Sequence, residues 1–318
     1  MTLLQISFFT TVSLIVALLA FTQLRSRTID AQFPPRGALV DVGGGRLHVT
    51  QLKPPGAVRA NVVLIHGASG NEADMMETLA APLAGRGFHV FAVDRPGHGW
   101  SERMDAETPD KQATLIVAAL RKSGAERAIV LGHSLAGVVA TNIALDHKEF
   151  TAGLLLVSPV THPWPGGAIS WYHRAAALPM LGTILSNLFA MPAGLALLDK
   201  TLAAVFAPQT PPTDYAQRTG LVRVLRPATF AANARDVAGT FDFVTAQAPR
   251  LKDITAPTAI VTGDADDIVL TKIHSYGSAR DIPGATLKVL PGVGHSPHWV
   301  NPEAIADAVV SVAERARP

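Results

Sequence analysis

The chain has 318 residues, hydrophobic residues at 48% of its positions and a formal net charge of +2, which excludes a disordered chain and allows one large domain. With 27 basic and 25 acidic side chains and no basic stripe, the sequence indicates no nucleic-acid partner. The absence of cysteine excludes disulfides, thiolate metal ligands and a cysteine nucleophile.

An apolar segment without charged side chains covers residues 3–24. At 1.5 Å per residue, this segment is long enough to cross the ~30 Å hydrocarbon core of a bilayer. Arg25 and Arg27 follow it, whereas a cleaved signal peptide carries its positive charge before the apolar run. We therefore predict an uncleaved, single-pass membrane anchor over residues 1–30. The positive-inside rule favours a cytoplasmic location for the rest of the chain.

A short linker with two prolines, residues 31–36, precedes a pattern typical of α/β proteins. Two strand-like runs around the glycines at 43–45 predict a β-hairpin. Strand and helix patterns then alternate, which predicts a mostly parallel sheet with helices on both faces, its first part within residues 31–159. The predicted strands are 61–65, 88–93, 128–131 and 154–157, and the predicted helices are 71–84, 108–123 and 135–147.

The alternation stops between residues 160 and 249, where helical stripes and many prolines occur without a convincing strand pattern. We interpret this stretch as a helical lid inserted into the sheet domain. Strand patterns return at 258–262 and 286–290, and a helix is predicted over 302–315. Residues 250–318 therefore form the second part of the α/β core.

Ser134 occupies a sharp turn between a buried strand and a helix, in the run Gly132-His133-Ser134-Leu135-Ala136-Gly137. A serine in such a turn projects its hydroxyl above the sheet edge, as a nucleophile requires. The nucleophile-elbow pattern has glycine two residues after the serine, and this chain has Ala136 there. Taken alone, the run is equally compatible with an ordinary tight turn.

Two further residues supply what a serine nucleophile needs, a base and an acid that orients the base. His295 follows a predicted strand on a glycine-rich loop, and Asp266 also lies just past a strand end. Serine, aspartate and histidine also follow one another along the chain in the order that triad residues have in α/β folds with a nucleophile elbow. Asp264 and Asp267 are alternative acids, and His298 is an alternative base.

These features together resemble the α/β-hydrolase superfamily, especially its lid-bearing members, over about residues 37–318. The resemblance rests on His66-Gly67, the run Asp94 to Ser101, the elbow at Ser134, Gly263 with Asp266, and Gly294-His295. It implies a catalytic triad of Ser134, Asp266 and His295. It further implies an oxyanion hole made by the backbone N–H groups of Ala68 and Leu135. Asp94 is expected to hold its loop by bonds from its side chain to the backbone.

A substrate pocket is predicted from residues of the lid and of the loops around the serine. Its candidate members are His66, His98, Trp164, Trp171, Tyr172 and His298. The eleven histidines are scattered and no metal-ligand spacing occurs, so we predict no metal. No glycine-rich phosphate-binding turn opens a helix, and we predict no cofactor.

The expected function is hydrolysis of a carboxylic ester, or a related acyl bond, of a small to medium apolar molecule through an acyl-enzyme intermediate. The same triad would also allow hydrolysis of lactones or of carbon–carbon bonds, cofactor-free peroxidation or acyl transfer. Epoxide hydrolases and haloalkane dehalogenases of this superfamily carry aspartate at the elbow, so Ser134 disfavours both activities. The alternative outside enzymology is a membrane-bound ligand-binding scaffold.

Overall fold

The computed structural model describes residues 2–316 and contains one eight-stranded sheet with helices on both faces. The strands are β1 (Ala38–Asp41), β2 (Arg46–Leu52), β3 (Ala60–Ile65), β4 (Phe88–Val93), β5 (Ala128–His133), β6 (Thr151–Val157), β7 (Thr258–Gly263) and β8 (Thr286–Leu290). Their order in the sheet is β1-β2-β4-β3-β5-β6-β7-β8. The β1–β2 and β2–β4 pairs are antiparallel and the other pairs are parallel, which confirms the predicted α/β-hydrolase fold class.

Twelve α-helices accompany the strands within the described residues. They are α1 (Leu3–Gln32), α2 (Glu72–Gly85), α3 (Pro109–Lys122), α4 (Ala136–Asp146), α5 (Trp171–Ala177), α6 (Pro179–Leu188), α7 (Ala190–Phe206), α8 (Tyr215–Thr219), α9 (Pro227–Gln247), α10 (His274–Asp281), α11 (Pro297–Val300) and α12 (Pro302–Arg315). Helices α5–α9 lie between β6 and β7, and we call residues 160–249 the helical insert.

The central strands are apolar on both sides because helices cover both faces of the sheet. In β5, Ile129 and Leu131 belong to one core cluster and Val130 belongs to the other. This alternation follows from the two-residue period of a strand. Helices α3 and α4 contribute to the cluster around Val130, whereas α2 and α12 contribute to the opposite one. The sheet is therefore a rigid base whose carboxyl edge carries the loops described below.

Helix α1 ends at Gln32, two residues beyond the predicted end of the anchor. Pro34 explains this end, because the residue before a proline is disfavoured in helical conformation and Phe33 is accordingly non-helical. Near this end, Ile29 packs with Met191 and Leu225 of the insert region. The predicted linker at residues 31–36 is thus shorter than expected, and α1 is joined to the insert by direct contacts.

Candidate active site

Ser134 lies directly after β5 with a φ of +54°, a conformation that non-glycine residues rarely adopt. The turn is tight, since a Cβ at Gly132 would lie 2.5 Å from the carbonyl oxygen of Ala136. A Cβ at Gly137 would lie 2.8 Å from Pro159. The alanine at position 136, which departs from the elbow pattern, is accommodated in the core cluster beside the sheet.

The structure brings the three predicted triad residues together. Ser134 Oγ lies 2.9 Å from His295 Nε2, and His295 Nδ1 lies 2.8 Å from Asp266 Oδ2. Because a carboxylate only accepts, Nδ1 of His295 carries the proton, which leaves Nε2 free to accept from the serine hydroxyl. The other oxygen of Asp266 accepts from the backbone N–H groups of Ile268 and Val269, at 2.9 Å each. The carboxylate is therefore fixed on both sides.

The alternative acids and the alternative base lie elsewhere. Asp264 and Asp267 are both exposed, and Asp264 accepts from the backbone N–H of Gly292. His298 is buried with its Nε2 3.2 Å from Asp74 Oδ2. Geometry thus favours Asp266 as the acid and His295 as the base.

Two backbone N–H groups beside Ser134 are free to bind a negative oxygen. Among the residues that the structure describes, the N–H of Ala68 and that of Leu135 have no hydrogen-bond acceptor. The loop of Ala68 approaches the serine closely, since a Cβ at Gly67 would lie 2.8 Å from Ser134 Cβ. This is the arrangement that the resemblance implies for an oxyanion hole.

Arg95, which the sequence analysis did not single out, holds this loop in place by hydrogen bonds. The buried guanidinium donates to the backbone carbonyls of His66 at 3.1 Å and of Gly67 at 3.3 Å. In a trans peptide the C=O and the following N–H point in opposite directions. Fixing the carbonyl of Gly67 on Arg95 therefore turns the N–H of Ala68 away from the guanidinium.

Helix α9 of the insert completes the support of the loop. Asp236 binds the guanidinium of Arg95 at 2.6 Å in a fully buried ion pair. Asn233 accepts from the N–H of Ser69 at 2.6 Å and donates to its hydroxyl at 3.1 Å. Ser69 has a φ of +57°, so these bonds hold a strained residue. The three-residue spacing of two buried polar side chains on one helix face is the signal that could have identified Asn233 and Asp236.

All three predicted pocket histidines are buried and hydrogen-bonded within the protein. His66 accepts from the N–H of Arg95 and contacts the carbonyl of Gly67, and burial followed by the nearby Arg95 lowers its pKa to about 4. His98 lies 3.2 Å from Arg95, and burial likewise lowers its pKa well below the usual value. Together with His298, these residues hold the loops around the serine.

The predicted aromatic pocket residues are spread over the insert. Trp164 packs edge-on against Phe241, and its indole N–H donates to the carbonyl of Ala168. Trp171 is 77% exposed and Tyr172 is 44% exposed. Both side chains therefore lie largely on the outside of the insert, and their place in a substrate pocket stays a prediction. Apolar side chains of the neighbouring helix α6, such as Met180 and Ile184, are exposed as well.

Behind the triad, Asp74 links the insert to the loop of His295. Its carboxylate accepts from Tyr215 and Trp299 at 2.8 Å each and lies 3.2 Å from His298. Burial opposes ionisation of Asp74, but His298 and the other donors hold its pKa well below the usual range. Asp74, His133 and His298 are close enough to hold an ion, yet the donors around Asp74 already account for its charge.

The loop of Asp94 behaves as predicted. Its carboxylate accepts from the backbone N–H groups of Glu72 at 2.8 Å and Trp100 at 2.9 Å, and it lies 2.8 Å from His48 Nδ1. These bonds fix the turn that begins at Arg95. Asp94 is therefore a structural residue of the loop that carries the guanidinium.

The profile of the alpha/beta hydrolase family matches residues 62–308, so the chain belongs to this family. The chain is similar, at 28% identity over 265 residues, to the pimeloyl-[acyl-carrier protein] methyl ester esterase of Yersinia enterocolitica, covering 80% of this chain and 93% of that protein. It is 26% identical to the 2-hydroxy-6-oxo-6-phenylhexa-2,4-dienoate hydrolase of Burkholderia cepacia, over 76% of this chain and 84% of that one. Its curated relatives thus include esterases and other hydrolases.

A solved structure described as a membrane phospholipase A, a bacterial virulence factor, has a similar fold. Its TM-score is 0.66 at 21% identity, and the match covers 99% of this chain and 96% of that one. The likeness in fold therefore extends over α1 as well as the sheet.

Proposed function

We propose that this protein is a membrane-anchored serine hydrolase that cleaves a carboxylic ester of a small to medium apolar substrate. The observation that carries the proposal is the unbroken series of short contacts from Ser134 through His295 to Asp266. Serine is a weak nucleophile until a base removes its proton, and a buried, doubly anchored carboxylate keeps that base in the required tautomer. A ligand-binding scaffold would not need this arrangement.

In the proposed reaction, His295 Nε2 takes the proton of Ser134 as Oγ attacks the ester carbonyl carbon. The carbonyl oxygen becomes negative, and the N–H groups of Ala68 and Leu135 donate to it. The protonated imidazole then gives its proton to the leaving alcohol, which leaves an acyl group on Ser134. Water repeats the sequence with His295 as base, releasing the acid and restoring the serine.

The acid Asp266 stabilises the imidazolium that forms at both steps and does not itself take a proton. Each oxyanion donor contributes about 3 kcal/mol of transition-state stabilisation. Because Arg95 and α9 hold the donor loop before substrate binds, little reorganisation is needed during the reaction.

The same machinery serves lactone and carbon–carbon bond hydrolysis, peroxidation and acyl transfer, and the relatives include an esterase and a dienoate hydrolase. We favour open-chain esters, because the relative that the chain covers to 93% of its length is described as a methyl ester esterase. No residue of the site is assigned to a cofactor.

The helical insert acts in this proposal as a lid. The triad side chains are nearly enclosed, with Ser134 8% exposed and His295 4% exposed. A site closed to water favours substrates that bury apolar surface. The insert therefore selects the substrate, whereas the sheet supplies the chemistry.

Helix α1 acts in this proposal as the anchor. It is long and apolar enough to span a membrane, and its apolar stretch lies outside the protein core. Arg25 and Arg27 at its carboxyl flank favour a cytoplasmic catalytic domain. A reporter fused after residue 318 that is active only outside the cytoplasm would contradict this orientation.

The decisive experiment compares the full-length protein in detergent with its Ser134→Ala variant on p-nitrophenyl esters of increasing chain length. We expect hydrolysis of short and medium chains, and a loss of about 10⁵- to 10⁶-fold in kcat for the variant. A fluorophosphonate probe should label the wild type and not the variant. Unchanged turnover in Ser134→Ala would defeat the proposal, and labelling without ester turnover would redirect it to another acyl reaction.

A further inference from the structure

The outer helices of the insert present an apolar surface that no part of the described chain covers. Residues 175–198 contain no charged side chain. Large apolar side chains of α5–α7 and the adjoining turns stand outward, the most exposed being Met180 at 83%. We call this surface the insert's apolar face; it includes Trp171, Leu178, Met180, Ile184, Phe189 and Leu197. An apolar patch of this kind marks an interaction surface.

The shape of α6 and α7 limits what this face can contact. The two helices are bent by 69° at the break between them, and together they are as apolar as a membrane segment. Helix α6 has 10 residues and α7 has 17. At 1.5 Å per residue, α6 extends over only about 15 Å and cannot cross a bilayer. A bent apolar pair of this size fits one leaflet.

The position of α1 relates the face to the membrane surface. Helices α6 and α7 both contact α1. Within α1, Thr22 is buried at the end of the apolar stretch, and Ile29 is buried against Met191 at the start of α7. The rise from Leu3 to Thr22 is about 28 Å, close to the thickness of the hydrocarbon core. The contacts therefore begin where α1 leaves the bilayer.

The residues around the apolar run also match a membrane boundary. Arg174 precedes it, Asp199 and Lys200 follow it, and Arg25 and Arg27 lie on the neighbouring end of α1. Basic side chains at this level contact anionic headgroups. Trp171, at the edge of the face, is of the type enriched at the membrane interface, where an apolar ring meets a polar boundary.

We propose that the insert's apolar face lies in the headgroup and acyl boundary of the bilayer that holds α1. The protein then contacts the membrane at two places, the span and the insert, and the occupant of the face is lipid. This inference goes beyond the proposed function and rests on it only in taking α1 as an anchor. It places the proposed lid in the layer where apolar esters dissolve.

The absence of cysteine permits a direct test by single labels in the full-length protein. We would introduce Met180→Cys in the face, Ser13→Cys in the span of α1, and Glu149→Cys on the exposed loop before β6. Each variant carries a nitrobenzoxadiazole fluorophore and is reconstituted in vesicles of phosphatidylcholine and phosphatidylglycerol. Fluorophosphonate labelling of Ser134 reports that each variant remains folded.

We expect the label at position 180 to lose about half of its fluorescence to lipids carrying a nitroxide near the headgroup, and little to aqueous iodide. The label at 13 should be quenched most by a nitroxide deep in the acyl chain. The label at 149 should respond only to iodide. If 13 is quenched by lipid and 180 by iodide alone, the face is not in the membrane, although the anchor stands.

Two other outcomes separate the proposals. Quenching of 180 by lipid without quenching of 13 would support the face and contradict the anchor. A label at 180 that neither lipid nitroxides nor iodide reach would show that a second protein surface covers the face, which would overturn the proposal.

Discussion

The carboxyl edge of the sheet and the outer helices of the insert differ in how tightly their residues are packed and hydrogen-bonded by their neighbours. At the sheet edge, glycines 67, 132 and 263 have no space for a Cβ, and the polar atoms of the triad are bonded. In α5–α7, side chains such as Met180 are largely exposed. Helix α9 belongs to the insert in sequence but to the sheet edge in its contacts, through Asn233 and Asp236. In the proposed function, the reaction chemistry belongs to the sheet edge and substrate access to the outer helices of the insert.

The strongest test of the comparison is Gly67→Ala, since a Cβ there would lie 2.8 Å from Ser134 Cβ. The loop must shift and carry the N–H of Ala68 with it. We expect kcat to fall by about 10²- to 10³-fold, as for loss of one oxyanion donor. Gly70→Ala is the matched control, because its Cβ would make an ordinary contact with His66 at 3.4 Å. Equal activity of the two variants would show that the loop accommodates a Cβ beside Ser134 without losing its function.

Asn233→Ala tests whether α9 functions with the sheet edge. Loss of both bonds to Ser69 should leave the loop of Ala68 and Ser69, which we call the proposed oxyanion loop, less ordered, with kcat lowered about tenfold and KM changed less. The free energy of unfolding should fall by about 1–2 kcal/mol. Asp242→Ala, at an exposed position of the same helix, should change neither quantity. A variant that loses stability but keeps kcat would assign Asn233 to packing alone.

The smallest expected effect concerns pH and the buried Glu72, which lies beside the loop of Asp94. Burial, followed by the nearby charge of Asp94, raises the pKa of Glu72 to about 7. Between pH 4.5 and 7 the folded protein then holds a proton that the unfolded chain has released, so the contribution of Glu72 to stability falls as pH rises. Replacing Glu72 by glutamine, which does not ionise, removes this loss of stability.

We therefore expect the free energy of unfolding of Glu72→Gln, relative to wild type, to increase by about 1–3 kcal/mol from pH 5 to pH 8. Denaturant unfolding at each pH measures the difference. Parallel curves for wild type and Glu72→Gln would mean that Glu72 ionises in the folded protein like an ordinary carboxyl group.

Strong local patterns made parts of the fold predictable. The bounds of β4, β8 and α12 agree with the predicted residues, and each has glycine or proline at one boundary: Gly87 precedes β4, Pro291 follows β8 and Pro302 begins α12. Helix α10 was not predicted because its residues, among them His274 and Arg280, form no apolar stripe. The end of α1 was placed two residues early, because Pro34 and Pro35 were interpreted as part of a linker that begins at residue 31.

The candidate triad followed from sequence because each member lies beside a strand end within a recognisable run. The support of the proposed oxyanion loop did not, since Asn233 and Ser69 are separated by 164 positions and only folding brings them together. The exposure of Trp171 could not be predicted either, because the sequence does not show whether an aromatic side chain in a helix faces a pocket or the solvent.

The unbroken course of α1 from Leu3 to Gln32, with Asp30 bound to Arg226 at 2.8 Å, has a mechanical consequence. A domain on a flexible tether tumbles and meets a surface at every angle. Here the junction between α1 and the rest of the chain is helical and is held by this ion pair. The proposed catalytic edge would therefore keep a constant tilt and height relative to the membrane while the molecule diffuses laterally. Each encounter with a lipid would then be a search in two dimensions at fixed orientation.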